Sequence, residues 1–433
     1  MHYPRILHIG QPFNKHSGGG ITISNLFKGW PKESLAVATN FNLSGKPDTS
    51  VCENYYQLGY DGKLHPFPLN IFLAKIKTGK VIYATANNSI PAKSNKGKFS
   101  KLYSLITRIL NFIGIYNVFY KLKITPEFKK WLFEFNPDII YSQLSTLELI
   151  RFVSEIQQLT NKPVIIHIMD DWPAIINKQG FLYFYWKRVF DREFRNLLDK
   201  STVLMSICDT MSEEYKIRYG KYFIPFHNPI ETSYWLPFAK KDHSIKDKFT
   251  ILYAGRIGRG IEKSISDIAD AVNLLYRSND KIVFEIQTFD ISRLNKIIRF
   301  NDHIKRTDPI EYADLPEKFA SADLLILPED FDSESIEFLK FSIQTKVAEY
   351  MISGTPILVY ADERTALAKY ALKDGWAYVV TQNNIGELTR AINELFSNYS
   401  LRKALSEKAR EIALKNEDAE IVRENFRKCF ILN

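Results

Sequence analysis

The chain has 433 residues, 45% hydrophobic and 25% charged, ordinary globular values that exclude a disordered polymer, and its length predicts at least two cores. Three cysteines, Cys52, Cys208 and Cys429, without CxxC or metal-type spacing, exclude a disulfide framework and fit a reducing cytoplasm. No run of about twenty apolar residues is present to span a bilayer, and Arg5 to Gly10 reads as a first strand entering a loop, not as a signal peptide.

In chain order, strands are predicted at 5–9, 34–39, 138–142, 164–169, 202–206 and 222–225, several followed by helical patterns, the rhythm of a doubly wound sheet. Ser17 and then Gly18, Gly19 and Gly20 fall between the first strand and a helix expected to begin near Ile21, where glycines let the backbone approach a ligand. Residues 41–100 are poorly periodic and rich in Asn, Lys and Gly, and read as a variable excursion within an irregular insert at about 41–135. The net charge of +9 is concentrated between Lys93 and Lys130, where Lys96, Lys98, Lys101, Arg108, Lys121, Lys123, Lys129 and Lys130 surround SLITRILNFIGIYNVFYKL. Two readings stay open. One is an interfacial helix that holds about 97–130 against anionic lipid on the inner face of the membrane; the other is a domain helix whose apolar face is core. Nucleic acid is not expected as a partner, because no nucleic-acid motif accompanies the charge.

The strand at 164–169 ends in Asp170-Asp171-Trp172-Pro173, at the strand end where open α/β sheets place ligands, and His167 shares a face with Met169 by strand alternation. The paired aspartates lack the surrounding ligands of a metal site. Residues 228–248 combine prolines with clustered charge and read as a linker. Alternation resumes with strands at 249–254, 282–287, 324–327, 357–360 and 377–380. After the first of these, Arg256-Ile257-Gly258-Arg259-Gly260 opens a helical run, a loop that turns backbone N–H groups and two guanidinium forks toward an anion, with Lys263 as a further cation. Val347, Tyr350 and Met351 predict a helix over 343–352, ended by Gly354 and Pro356, and Ile357 to Val359 form a buried strand. Glu349 is the one carboxylate among its apolar neighbours, suited to the paired hydroxyls of a ribose. Residues 385–430 are helix-rich.

The run KVAEYMISGTPIL resembles the donor-nucleotide motif of GT-B glycosyltransferases of the family 4 type. Glu349 matches the second Glu of that motif, while Phe341 stands where the first would be; Ser342, Thr345, Lys346, Glu349 and Tyr350 match its Ser-x-x-Thr-Lys-x-x-Glu-Tyr version. Glu334 and Glu337 are alternatives for the missing acid. The resemblance implies two Rossmann-like α/β domains facing a cleft: an acceptor domain at 1–235, a donor domain at 236–415, and a tail helix at 416–433 crossing back to the first. It implies transfer from a nucleotide sugar to a saccharide or lipid-linked saccharide, with retention and no metal or other cofactor. Ser342, Thr345, Lys346, Glu349, Gly18, Gly19 and Gly20 would bind the donor, the glycines across the cleft. Arg256 and Arg259, the latter in a shortened loop, would carry the diphosphate charge. Asp170 matches a family Asp, and Met169 occupies a family His position for which His167 is either a partial substitute or ordinary packing. The departures at Phe341 and Met169 leave a non-catalytic scaffold as the rival, with a nucleotide-sugar epimerase as another.

Overall fold

The computed structural model describes residues 3–43, 47–63, 76–81, 100–114, 121–175 and 180–432. Lys93, Lys96 and Lys98 of the basic stretch lie outside them. The chain divides into one unit made of Met1–Phe226 with Asn425–Asn433 and another made of His227–Glu424.

In the first unit the described strands are β1 (Ile6–Ile9), β2 (Leu35–Thr39), β3 (Asn54–Gln57), β4 (Gly79–Val81), β5 (Ile139–Gln143), β6 (Val164–Ile168), β7 (Val203–Ser206) and β8 (Ile224–Pro225). They lie in the order β4-β3-β2-β1-β5-β6-β7-β8, parallel throughout except for β3 against β4. Every residue of β1, β2, β5 and β6 is buried, as expected for strands covered on both faces by crossover helices. The order reverses between β1 and β5. Chain direction is set by capped helices: Thr146 accepts a hydrogen bond from Leu149 N at the start of Leu147–Thr160, and Asn161 in the left-handed conformation ends it.

The second unit holds β9 (Phe249–Ala254), β10 (Ile282–Gln287), β11 (Ile304–Thr307), β12 (Leu324–Pro328), β13 (Ile357–Tyr360) and β14 (Tyr378–Val380), all parallel in the order β11-β10-β9-β12-β13-β14. Its two faces bury separate cores. One packs Ile251, Tyr253, Phe284 and Ile326 against the helix Glu262–Tyr276; the other packs Leu252, Leu325, Val359 and Trp376 against Tyr350 and Met351. Here the order reverses between β9 and β12.

Three strands, β3, β4 and β11, had no counterpart among the predicted elements. The segment 228–248 is not a free linker: Trp235 is fully buried in the second unit, Lys240 N donates to Ser353 O (2.8 Å), and Lys240 Nζ reaches Ala322 O (2.9 Å) and Asp323 Oδ1 (3.3 Å). The helix expected over 343–352 is shorter, Val347–Ile352, with Gly354 beyond its end at φ +75°. At the carboxyl terminus, Ala419–Lys428 is one helix: Ala419 N donates to Ile230 O (2.9 Å) in the second unit, while Phe426 packs on Phe27 (5.0 Å) and Phe226 (5.2 Å) in the first.

Candidate active site

Ligands of open parallel sheets sit beyond the carboxyl ends of the strands where the order reverses. In the second unit that place is framed by residues 255–260 after β9. The loop is pinned at four points: Gly255 N donates to Gln287 O (2.9 Å), Ile257 N to Asp290 Oδ2 (2.8 Å), Asp330 N to Gly260 O (2.6 Å), and the Tyr253 hydroxyl to Arg256 O (2.5 Å). Gly260 has φ +90°, and a Cβ there would meet Leu339 at 2.9 Å. Arg256 is exposed on this loop. Arg259 is engaged: its guanidinium pairs with Glu334 at 2.7 Å and lies over the Phe338 ring at 5.1 Å.

The helix carrying Glu349 is stitched to the base of the loop. Tyr350 Oη accepts from Ala254 N (2.9 Å), and Lys346 Nζ donates to Ala254 O (2.9 Å) while lying 4.0 Å from the Tyr253 ring centroid. Glu349 follows three residues after Lys346, on the same side of the chain. Burial pushes the Glu349 carboxyl up and the Lys346 ammonium down, and the charge of each partly restores the other. Thus Lys346 meets the strand end that Arg256 follows, with Glu349 near enough for the two charges to act on each other. Thr345 O is held by Asn228 Nδ2 (3.2 Å), and Ser342 N donates to Leu339 O (2.9 Å). Phe341 is buried beneath the Lys340 ammonium, 4.9 Å from its ring centroid, so this position supplies packing where a carboxylate was sought.

Two acids missed in the sequence lie at the end of β12. Asp330 is buried, accepts from Ser264 N (2.7 Å), and anchors the helix that follows the loop. Glu329 is fully buried, and neither carboxylate oxygen makes a well-formed hydrogen bond among the described residues. Burial pushes its carboxyl up to about 8, only partly offset by the nearby Thr365 and Gln344 side chains. Their signal was the position itself, directly after an apolar strand.

In the first unit the three glycines are not a loop. They form the first turn of the helix Gly18–Leu26, with Ser17 as N-cap. First-turn amides have no partner within the helix, so this end still presents N–H groups and a dipole to an anion. A Cβ on Gly19 would strike the Gln11 amide, and one on Gly20 the Asn14 amide, so side chains pack where other residues would carry theirs. Gln143 Nε2, at the end of β5, lies 2.7 Å from Met169 Sδ and 3.4 Å from Gly19 O, which brings the glycine turn and the end of β6 together.

Asp170 and Asp171 part company. Asp170 is exposed beyond β6; Asp171 is buried and gripped by Arg218 through Nη1 (2.8 Å) and Nη2 (3.1 Å) and by the Tyr215 hydroxyl (2.9 Å). His167 is corrected from a catalytic candidate to a packing residue. It is fully buried inside the sheet with Nδ1 2.7 Å from the Tyr141 hydroxyl, and burial lowers its pKa to about 3. No group of His, Cys, Asp and Glu suited to a metal ion occurs among the described residues. No helix among them is long and apolar enough to cross a membrane.

Two doubly wound units of this kind make up the GT-B fold, the fold of this chain. Residues 248–398 match the family model described as glycosyl transferases group 1. Solved structures similar over the full length include Anabaena Alr3699/HepE in complex with UDP, with 12% identity over 98% of this chain and 99% of that one and a TM-score of 0.60. Sucrose-phosphate synthase from Thermosynechococcus elongatus superposes with 11% identity over 98% of each chain and a TM-score of 0.62. A glycosyltransferase from Rickettsia africae does so with 11% identity over 100% of each chain and a TM-score of 0.58. At these identities the likeness is one of fold. No curated protein matches the chain in sequence.

Proposed function

We propose that the protein is a glycosyltransferase that moves a sugar from a nucleotide-sugar donor to a hydroxyl of a saccharide or lipid-linked saccharide, with retention and in the cytoplasm. The observation that carries this is the contact of Lys346, coupled in charge to Glu349, with the end of β9, at the foot of the loop bearing Arg256, inside the segment that matches a glycosyltransferase family model.

In this reading Glu349 accepts the two ribose hydroxyls, while Arg256, Lys346 and the amides of Gly258, Arg259 and Gly260 take the diphosphate. Ser342 and Thr345 line the same stretch. The anomeric C–O bond to the diphosphate breaks with its electron pair leaving on the phosphate oxygen; the acceptor hydroxyl oxygen forms the new bond and its proton passes to that phosphate. Charge grows on the leaving group, so cations fixed in advance lower the barrier. Arg259, already paired with Glu334, serves first to hold the loop and second as a cation. Asp170 orients the acceptor hydroxyl, and the amides at Gly18, Gly19 and Gly20 offer an anion site in the first unit. The reading needs no resident metal or other cofactor.

A thermal-shift titration with UDP and other nucleoside diphosphates tests it, since a ligand of the native state raises apparent stability with concentration. The wild type should shift with at least one of them, and Glu349→Ala and Arg256→Ala should lose at least about tenfold in affinity, as expected for removing a charged hydrogen-bond partner. If no nucleoside diphosphate binds and no nucleotide sugar is turned over, the protein is a scaffold and not a transferase.

A further inference from the structure

The first unit carries an apolar surface that plays no part in the proposed transfer. On the helix Ser100–Ile113, Leu105, Ile109 and Phe112 recur at helical spacing and are 49–59% exposed. Beside them stand Phe181 and Phe184, 80% and 77% exposed, and the exposed Tyr185, at the start of the helix Tyr183–Lys200. The two segments are fastened together. Phe181 N donates to Phe112 O at 2.6 Å, and Gly114, at φ +84°, packs so closely that a Cβ would lie 2.6 Å from Trp186 Nε1. The aromatic side chains are therefore displayed by packed elements, and six large apolar groups in one region exceed what scattered surface residues explain.

The stretch of sequence that carries the first of these helices is one-sided in charge. Residues 62–126 contain eleven Lys and Arg and no Asp or Glu, more positive charge than the +9 of the whole chain, so the remainder is slightly acidic. Arg108 on the first helix and Lys187 and Arg188 on the second are exposed. Aromatic and aliphatic groups with exposed cations on the same two helices match the acyl boundary and the phosphates of an anionic bilayer. A nucleic-acid partner would leave the exposed Leu, Ile and Phe unmatched, and a second copy of this chain would bring like charges together.

We propose that this platform, built from Leu105, Ile109, Phe112, Phe181, Phe184 and Tyr185, docks the protein on anionic membrane lipid. The surface extends the basic stretch predicted from sequence by a second element some seventy residues further on, and it does not depend on the transfer reaction. Co-sedimentation with vesicles of two parts phosphatidylcholine to one part phosphatidylglycerol tests it. The full-length protein should bind these vesicles, bind pure phosphatidylcholine far less, and be released at about 0.5 M salt, where charges are screened within a few ångströms. The double variant Phe181→Ser with Phe184→Ser, both side chains being mostly in solvent, should melt like the wild type yet lose about tenfold in vesicle affinity. Arg108→Glu with Arg188→Glu should lose the preference for anionic vesicles. Glu349→Ala should bind them undiminished, which separates this outcome from that of the transfer reading. Absence of wild-type binding, or equal binding by the Phe variant, overturns the proposal; so does equal affinity for duplex DNA that the Phe variant retains.

Discussion

Glu329 brings a titratable group into the core beside the donor-site loop. An ordinary carboxyl loses its proton near 4.5, and burial holds this one to about 8. Between those values the folded chain keeps a proton that the unfolded chain has released, so stability falls as pH rises through that window. Glu329→Gln should remove this slope. Urea denaturation at pH 5 and pH 8 should show the variant gaining on the wild type by a few kcal/mol at the higher pH, the scale of a shift of several pKa units; an unchanged difference would mean that the carboxyl is not protonated in the fold. For Lys346 and Glu349 the directions give a bell. Glu349 must be ionised to accept ribose hydroxyls and Lys346 must keep its proton to face phosphate, while burial raises the first pKa and lowers the second. Nucleoside-diphosphate affinity should therefore peak near neutrality, and Glu349→Gln should abolish the loss on the acid side, as read by calorimetric titration across pH 5.5–9.

Single elements depend on particular contacts. Arg402 is buried and pairs directly with no carboxylate among the described residues: Nη1 donates to Leu395 O (2.6 Å) and Phe396 O (2.7 Å), ending the helix Ile385–Ser397, and Nη2 to His243 O (2.7 Å). Arg402→Met fills the space but strands three carbonyls, a loss of about 2–4 kcal/mol in urea denaturation. Most of the strands were legible because those covered on both faces must be apolar without interruption, as in Ile357 to Val359. The strands that escaped are polar or short: β11 reads IKRT and exposes Lys305 and Arg306, chemistry that guards a sheet edge and resembles loop. The first turn at Gly18 escaped for a related reason. Glycine has poor intrinsic helicity, so three in a row read as loop, and only the Asn14 and Gln11 side chains lying against the turn reveal why glycine is needed. In the candidate site, Glu349 was visible as a lone acid on an apolar helix. The pairing of Arg259 with Glu334 was not, because charge spacing along the chain carries no record of a contact made by folding. For His167 the sequence left substitute and packing both open, because strand alternation gives a face but not whether another layer covers it.

At the scale of the whole molecule, the last residues complete the first unit. Phe426 is fully buried and Phe430 nearly so, and Phe430 lies 5.3 Å from Trp30 and 5.9 Å from Tyr141 by ring centroids. Phe426→Ala should cost about 3–5 kcal/mol, the usual loss for a truncated core aromatic. Its effect should fall on the first unit although the residue lies at the other end of the chain. Limited proteolysis should then cut within 3–226 sooner than within 227–424, and the reverse order would show that the tail supports the second unit instead. The same feature orders events during synthesis. Domains tend to fold as they leave the ribosome, first-made first. Here the amino-terminal unit must wait, with Phe27, Tyr141 and Phe226 uncovered, until residues 425–432 have been made and are free to seal it.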